Sequence, residues 1–221
     1  MTEALRRSRK ASYFFGKLQR QFHPSQPAKM ISSRLTPLRR VQYTLKNHIP
    51  SSIPGIEIRP LSEGDARHVR DLIRDVLQRC NTTLTSAEEF SLTEEQEREH
   101  LLKFSNSPNR ALGAFRSSSL IGVVFLTQLP NVRIQHRGSV GISVHPDSWS
   151  CGIGTQLLRA VLTEAKQRTA LRRIEASVLA NNPASERLFR SAGFSLEGVR
   201  HEAAFIDGTY IDEKLFVSRL E

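Results

Sequence analysis

The sequence predicts a single α+β domain on a mixed β-sheet, which spans residues 56–221. Segments with apolar residues at every second position alternate with segments whose apolar residues recur at helical spacing. Their order along the chain is strand, two helices, three strands, helix, strand, helix and two strands, with no internal repeat. We therefore expect a central sheet of six to seven strands flanked by about four helices.

The first part of the domain is predicted to contain a strand, two helices and a hairpin. Residues 56–61 ("IEIRPL") form the strand, and Ser62 with Asp65 resembles a helix capping pair. One apolar helical face follows, made of Val69, Leu72, Ile73, Val76 and Leu77. The second helix covers 91–104, and we expect its acidic run at 93–99 to be a solvated face, with attraction of a cationic amine as a further use. The segments "RALGAF" and "LIGVVFLTQL" then form a hairpin around "RSSS".

The second part is predicted to alternate strands and helices. Residues 138–144 ("GSVGISV") form a strand with one bare face, and residues 173–180 form another. The helix between them buries a stripe made of Leu157, Leu158, Val161, Leu162 and Ala165. Pro183 opens a short helix that Gly193 closes. The dipeptide at 207–208, Asp-Gly, is a turn signal that joins two long final strands.

The charge of the chain divides it into two parts. The formal net charge is +10 over 221 residues, and residues 1–50 hold eleven Lys and Arg against one acid, Glu3. The remaining residues carry 21 basic and 21 acidic side chains. Residues 1–55 are therefore expected to be a flexible basic extension that ends in the linker "PSSIPG". A transit peptide, an arm that binds nucleic acid and an extension ahead of a start at Met30 remain open.

Cysteine content and hydropathy limit the cellular compartments in which the protein is expected. The two cysteines, Cys80 and Cys151, are too few for a disulfide framework and suit a reducing compartment. No apolar run approaches the roughly 20 residues of a membrane span. We expect a cytoplasmic protein, or one of the mitochondrial or plastid matrix if the basic segment is a transit peptide. The seven histidines and two cysteines show no metal-ligand spacing, so we predict no metal.

Two glycines, Gly152 and Gly154, precede the helix that follows the bare-faced strand. Glycine costs a helix about 1 kcal/mol relative to alanine. A helix N-terminus, however, presents unpaired N–H groups that bind phosphate oxygens where side chains leave room. Residues 149–155 are therefore a candidate diphosphate cradle. They fit neither the P-loop, which needs Gly-Lys-Ser/Thr, nor the dinucleotide fingerprint, which needs a third glycine at Leu157. A tight turn without a ligand stays open.

Three stretches together resemble the GNAT superfamily of N-acetyltransferases. "ISVHPDSWSCGIGTQLL" and "RIEASVLANNPASERLFRSAGFSLEGV" resemble its two cofactor motifs. "EGVRHEAAFIDGTYIDEKLF" is similar to the tails of small-molecule and ribosomal-protein acetyltransferases. The resemblance covers residues 56–219 and implies the GNAT fold with acetyl-CoA as co-substrate. It also implies direct transfer of the acetyl group, in a ternary complex, to a primary amine of a small amine, an amino acid or a protein N-terminus.

The resemblance also implies which residues hold acetyl-CoA. Main-chain groups of Ile142 and Val144 would contact the pantetheine arm, and residues 151–155 would wrap the pyrophosphate. Asn182 would contact the cofactor where the central strands separate, and Trp149 stands where many relatives carry Arg or Gln. The predicted cofactor-binding set is Ile142, Val144, Trp149, Cys151, Gly152, Ile153, Gly154, Thr155, Asn182 and Phe189.

The residues for proton transfer are less evident. Phe189 stands where the family often has a Tyr, and Ser139 where relatives frequently have a carboxylate. The predicted catalytic residues are His145 and Tyr210, with His136 and Glu202 as further candidates. Catalysis by positioning and water alone stays open, and direct transfer is preferred to a covalent step on Cys151.

A function of another class also remains open. The blank proton-transfer positions are compatible with an acyl-CoA-binding or ribosome-associated module whose basic segment, residues 1–50, binds RNA. A homodimer is left open as well.

Overall fold

The computed structural model describes residues 53–105, 108–167 and 171–220. In these residues a seven-stranded mixed sheet carries four α-helices, which confirms the predicted fold class and element order. The predictions for residues 1–52, including the transit peptide and the nucleic-acid arm, lie outside the described residues.

The elements alternate along the chain as predicted. The helices are α1 (Ala66–Arg79), α2 (Glu94–Ser105), α3 (Ile153–Lys166) and α4 (Pro183–Ser191). The strands are β1 (Ile56–Pro60), β2 (Arg110–Arg116), β3 (Ser119–Gln128), β4 (Arg137–Val144), β5 (Arg173–Leu179), β6 (Ser195–Ile206) and β7 (Thr209–Arg219). Their order across the sheet is β1-β2-β3-β4-β5-β7-β6, and only β4 and β5 pair in parallel.

A buried carboxylate fixes the start of α1. Asp65 accepts hydrogen bonds from the Ser62 N–H at 2.8 Å and from the Ser62 hydroxyl at 2.9 Å, which confirms the predicted capping pair. The Arg59 guanidinium on β1 donates to both Asp65 oxygens, at 3.0 and 2.8 Å. The predicted apolar face of α1 is buried against the sheet: Val69, Leu72, Ile73, Val76 and Leu77.

Helix α2 begins three residues later than predicted, because Thr93 caps it. The Thr93 N–H donates to Gln96 Oε1 at 2.9 Å, and the Gln96 N–H donates to Thr93 Oγ1 at 3.2 Å. The prediction of a wholly solvated acidic face is wrong at Glu97, which is only 4% exposed. Glu97 lies on the same helical stripe as the buried Leu101 and Phe104, four and seven residues further on.

One core lies between the sheet and helices α3 and α4. The predicted stripe of α3 is buried there except for Leu162, which is partly buried. Residues 207–208 have φ angles of +50° and +78°, as a two-residue hairpin turn requires, and join β6 to β7. Strand β6 forms one edge of the sheet, and its register with β7 shifts twice, between Leu196 and Gly198 and between Arg200 and Ala204.

The sheet opens between its two central strands. Strands β4 and β5 pair over three residues only, Arg137–Ser139 with Arg173–Glu175. Both strands then continue, β4 to Val144 and β5 to Leu179, without pairing to each other. Each keeps its other neighbour, β3 or β7, so a gap forms inside an otherwise continuous sheet.

The Asp65 cluster predicts an acid-sensitive contribution to stability. The hydrogen bond from Arg59 lowers the pKa of Asp65 from its ordinary value of 3.8 to about 2. A lowered pKa in the folded state stabilises the fold above pH 3.8, and this contribution disappears as the pH falls towards 2. We expect Asp65→Asn to lower the urea midpoint near pH 6 and to differ less from the wild type near pH 2. A difference that is constant with pH would contradict this assignment.

Candidate functional site

Main-chain groups of β4 face the gap between the central strands. The His145 N–H donates to the Ile121 carbonyl at 2.9 Å, and the Leu129 N–H donates to the Arg137 carbonyl at 2.9 Å. In an antiparallel pair, residues alternate between bonding the neighbouring strand and pointing away from it. The peptide groups of Ile142 and Val144 therefore point away from β3 and into the gap, where an extended ligand would find them.

Trp149 makes a hydrogen bond to one of these main-chain groups. Its indole Nε1–H donates to the Val144 carbonyl at 2.7 Å, while the ring is half exposed. Trp149 thus joins the end of β4 to the start of the following loop. The Val144 carbonyl is therefore already hydrogen-bonded, which leaves its N–H and both groups of Ile142 for a ligand.

The loop between β4 and α3 presents a row of N–H groups. Ser150 and Gly152 have left-handed φ angles of +59° and +78°. In the described part of the chain, the N–H groups of residues 151–155 donate to no acceptor, and the Gln156 N–H makes the first helical bond, to Gly152 at 3.1 Å. Left-handed turns combined with a helix N-terminus form concave anion sites. The loop fits a diphosphate group on these grounds.

Each of the two glycines also has a structural reason. Gly152 has a positive φ, which side chains disfavour. A Cβ at Gly154 would lie 3.2 Å from Leu188 Cδ2 on α4 and 3.8 Å from Ile142 Cδ1. Gly154 therefore allows α4 to approach α3. These contacts support the close-turn interpretation, and they are compatible with a ligand on the exposed N–H side.

The two cofactor residues predicted beyond the loop have structural partners. Asn182 Oδ1 accepts the Ser185 N–H at 3.0 Å and so caps α4. Phe189 is 3% exposed, and its ring centroid lies 5.1 Å from that of Phe194 and 6.4 Å from that of Phe216. Phe189 is thus a core residue, and its contact with a cofactor, like that of Asn182, stays a prediction.

His145 lies at the open end of the gap. Its Nδ1 accepts the Asp147 N–H at 3.2 Å, and its Nε2 lies 3.6 Å from Asp75 Oδ2 on α1. Arg79 donates to Asp147 at 2.5 Å, and this hydrogen bond lowers the pKa of Asp147. Both ring nitrogens of His145 therefore face groups that tie β4 to α1.

The other predicted proton-transfer residues are not brought together. Tyr210 is 63% exposed and pairs across the hairpin with Phe205, with ring centroids 4.9 Å apart. Glu202 has a φ of +51° in the irregular part of β6, where its N–H donates to Asp212. His136 precedes β4, about 30 Å along an extended chain from His145.

Hydrogen bonds join the segment between α1 and α2 to elements that are distant from it in the sequence. Asn181, just after β5, donates from Nδ2 to the Asn81 carbonyl at 3.1 Å. Asn81 in turn donates from Nδ2 to Asp207 Oδ2 at 2.8 Å, in the turn between β6 and β7. Because Arg79 reaches Asp147 beyond β4, this junction contacts both walls of the gap. Asn81, Asn181 and Asp207 lie in loops without periodicity, so no sequence pattern indicates their contacts.

Across residues 53–105, 108–167 and 171–220, no group of His, Cys, Asp and Glu side chains is arranged to hold a metal ion. None of the helices in these ranges combines the length and apolar character that a membrane crossing needs.

Known proteins match this chain in sequence. A family model described as "Acetyltransferase (GNAT) family" matches residues 71–194, more than half of the chain. The chain is 28% identical over 100 residues to the uncharacterized N-acetyltransferase YoaA of Bacillus subtilis (strain 168), a match that covers 45% of the chain and 55% of YoaA. It is 27% identical over 168 residues to the probable N-acetyltransferase YjcK of the same strain, covering 72% of the chain and 91% of YjcK. The chain thus spans about half the length of YoaA.

Solved structures share the fold. The GNAT-family acetyltransferase from Streptococcus pneumoniae superposes with a TM-score of 0.72 at 26% identity, covering 75% of this chain and 99% of that one. YncA from Salmonella typhimurium, solved with its cofactor acetyl-CoA, gives a TM-score of 0.69 at 16% identity, covering 76% and 95%. At that identity the second likeness concerns the fold alone.

The contact between Gly154 and Leu188 predicts energetic coupling. Alanine at residue 154 should gain helix propensity of about 1 kcal/mol, offset by the close approach to Leu188. With Leu188→Ala the neighbour is gone, so Gly154→Ala should stabilise the protein more in that background. We expect a coupling of at least about 0.5 kcal/mol in a double-mutant cycle of urea unfolding. Additive effects would mean that Leu188 is not what requires the glycine.

Proposed function

Because the chain belongs to the acetyltransferase (GNAT) family, we propose that it transfers the acetyl group of acetyl-CoA to a primary amine by direct attack in a ternary complex. The observation that carries this proposal is the gap between β4 and β5, which opens beside the exposed N–H groups at the start of α3. One ligand with an extended amide arm and a diphosphate would use both features.

Different main-chain groups of this chain would bind different parts of acetyl-CoA. The N–H groups of residues 151–155 would hold the pyrophosphate, aided by the partial positive charge of the helix N-terminus. Ile142 and the Val144 N–H would bond the pantetheine amides as an added strand does. The co-substrate supplies a thioester carbonyl, and main-chain N–H groups in the gap would polarise it.

The transfer itself needs an acceptor whose nitrogen is neutral. The amine nitrogen forms a bond to the carbonyl carbon, the carbon–sulfur bond breaks to release the CoA thiolate, and the proton that the nitrogen loses ends, directly or through water, on that thiolate. We propose a small amine or amino acid as the acceptor, with a protein N-terminus as the second class. His145 and Tyr210 stay proposed participants, His145 from the open end of the gap and Tyr210 from the exposed hairpin.

A second candidate function is binding of acyl-CoA without turnover. It is favoured by Phe189, a buried ring without a proton to give, and by Ser139, which lies where the strands are still paired. In that case residues 1–50 would provide the interaction with RNA or ribosomes that their basic composition suggests.

We predict that filling the space at residue 154 weakens acetyl-CoA binding without unfolding the domain. Gly154→Val in the Leu188→Ala background removes the contact with Leu188 and puts the new side chain beside Ile142 of β4, whose Cδ1 lies 3.8 Å from the Cβ position, so a loss of binding reports on the loop and Ile142 together. We expect affinity for acetyl-CoA in calorimetry to fall at least about tenfold relative to Leu188→Ala alone, with circular dichroism unchanged. Equal affinity in both variants would show that acetyl-CoA does not use the space between the loop and Ile142.

Thiol release from acetyl-CoA separates the two candidate functions. We expect amine-dependent release with at least one member of a panel of aliphatic amines, amino acids and peptides. Acetyl-CoA binding with no release above the amine-free rate across the panel would favour the second candidate.

A further inference from the structure

A carboxylate–imidazole pair on α2, Glu97 and His100, has no role in the site described so far. Glu97 is 4% exposed, although carboxylates are rarely buried unless they are paired. His100, one helical turn later, places its Nδ1 at 3.3 Å from Glu97 Oε1. With Glu97 ionised, this hydrogen bond is donated by the Nδ1–H of His100, because an ionised carboxylate only accepts hydrogen bonds. In that tautomer Nε2 is the nitrogen with a lone pair.

Ring contacts place this pair beside the central strands. The His100 ring stacks on Phe125 of β3, with centroids 5.6 Å apart and planes at 29°, and meets the Phe104 ring edge at 5.2 Å. Phe125 lies directly opposite Gly141 of β4, in a pair whose Cα atoms are typically about 5.5 Å apart. Gly141 lies two residues beyond Ser139, the last residue of β4 that pairs with β5.

Phe125 therefore links the imidazole to the residue of β4 that lies just beyond the closed end of the gap. Gly141 has no side chain to separate His100 from that end, and beyond Arg137 the residues of β4 on this face are small: Ser139, Gly141 and Ser143. His100 is itself a quarter exposed, so it is not sealed in the core as Glu97 is.

We infer that His100, oriented by Glu97, accepts the proton that the acceptor amine must lose; this inference rests on the proposed transferase function. The proton moves from the ammonium nitrogen to His100 Nε2, directly or through one water. The nitrogen lone pair then forms the bond to the carbonyl carbon and the carbon–sulfur bond breaks. The second proton lost by the nitrogen goes, through water, to the departing thiolate, and His100 returns the first proton to solvent. His100 is the catalytic residue here, and Glu97 is a positioning residue.

The other candidates are placed less well for this step. His145 has both ring nitrogens directed at Asp147 and Asp75, and Tyr210 projects from a hairpin tip. A purely structural role for Glu97 and His100 is the competing explanation, and it requires a test that packing alone cannot satisfy.

The test compares steady-state kinetics of the wild-type full chain with those of three variants. The acceptor is the panel amine that the wild type acetylates fastest. We expect His100→Gln to lower kcat about 100-fold or more, with the KM for acetyl-CoA and the urea midpoint close to wild type. Glu97→Gln should lie between wild type and His100→Gln. His201→Gln is the matched control and should keep wild-type kcat, because His201 also pairs with a carboxylate, Asp212 at 3.0 Å, but is 80% exposed on β6.

Chemical rescue supplies the readout that a structural role would not give. Added imidazole should restore part of the kcat of His100→Ala and leave the His201→Gln rate unchanged. Wild-type kcat in His100→Gln overturns the assignment, and so does a loss that parallels unfolding and resists imidazole. In either case wild-type turnover leaves the transferase function standing, whereas a wild type that acetylates no amine overturns both proposals.

Discussion

The incomplete pairing of β4 with β5 is the constraint on which the rest of the structure depends. Buried main-chain groups need hydrogen-bond partners, so two adjacent strands separate only where something else satisfies or exposes them. Here β3 and β7 hold the outer sides of the strands, and the Trp149 indole takes up one carbonyl at the end of β4. Helix α4, packed through Leu188 near Ile142 and Gly154, lies where the strands part. The peptide groups that remain are available to a partner of extended shape.

The loop before α3 meets two requirements with the same residues. A left-handed turn at Gly152 and a close helix contact at Gly154 are needed for packing alone. Both also leave the first N–H groups of the helix uncovered, which is what an anion requires. Packing and ligand binding are therefore not competing explanations of this glycine pair, because one backbone path serves both.

Local patterns in the sequence predicted most of the fold. The buried stripe of α1, the Ser62–Asp65 capping pair and the turn at 207–208 depend on neighbours within a few residues, so the sequence encodes them directly. The site was predictable only as far as its motifs extend. The indole bond to Val144, the bridge from Asn81 to Asn181 and the burial of Glu97 depend on contacts between distant segments. For Glu97 a signal did exist, since it shares the stripe of Leu101 and Phe104, but its charge led us to expect solvent.

The two register shifts in β6 have a consequence for the behaviour of the protein at high concentration. An outer strand of twelve residues offers a long row of unused peptide groups to any other strand in solution. The interruptions near Gly198 and between Arg200 and Ala204 break this row into short pieces and change its local twist. Open-ended sheet extension, the first step towards fibrils, is thereby discouraged by backbone geometry.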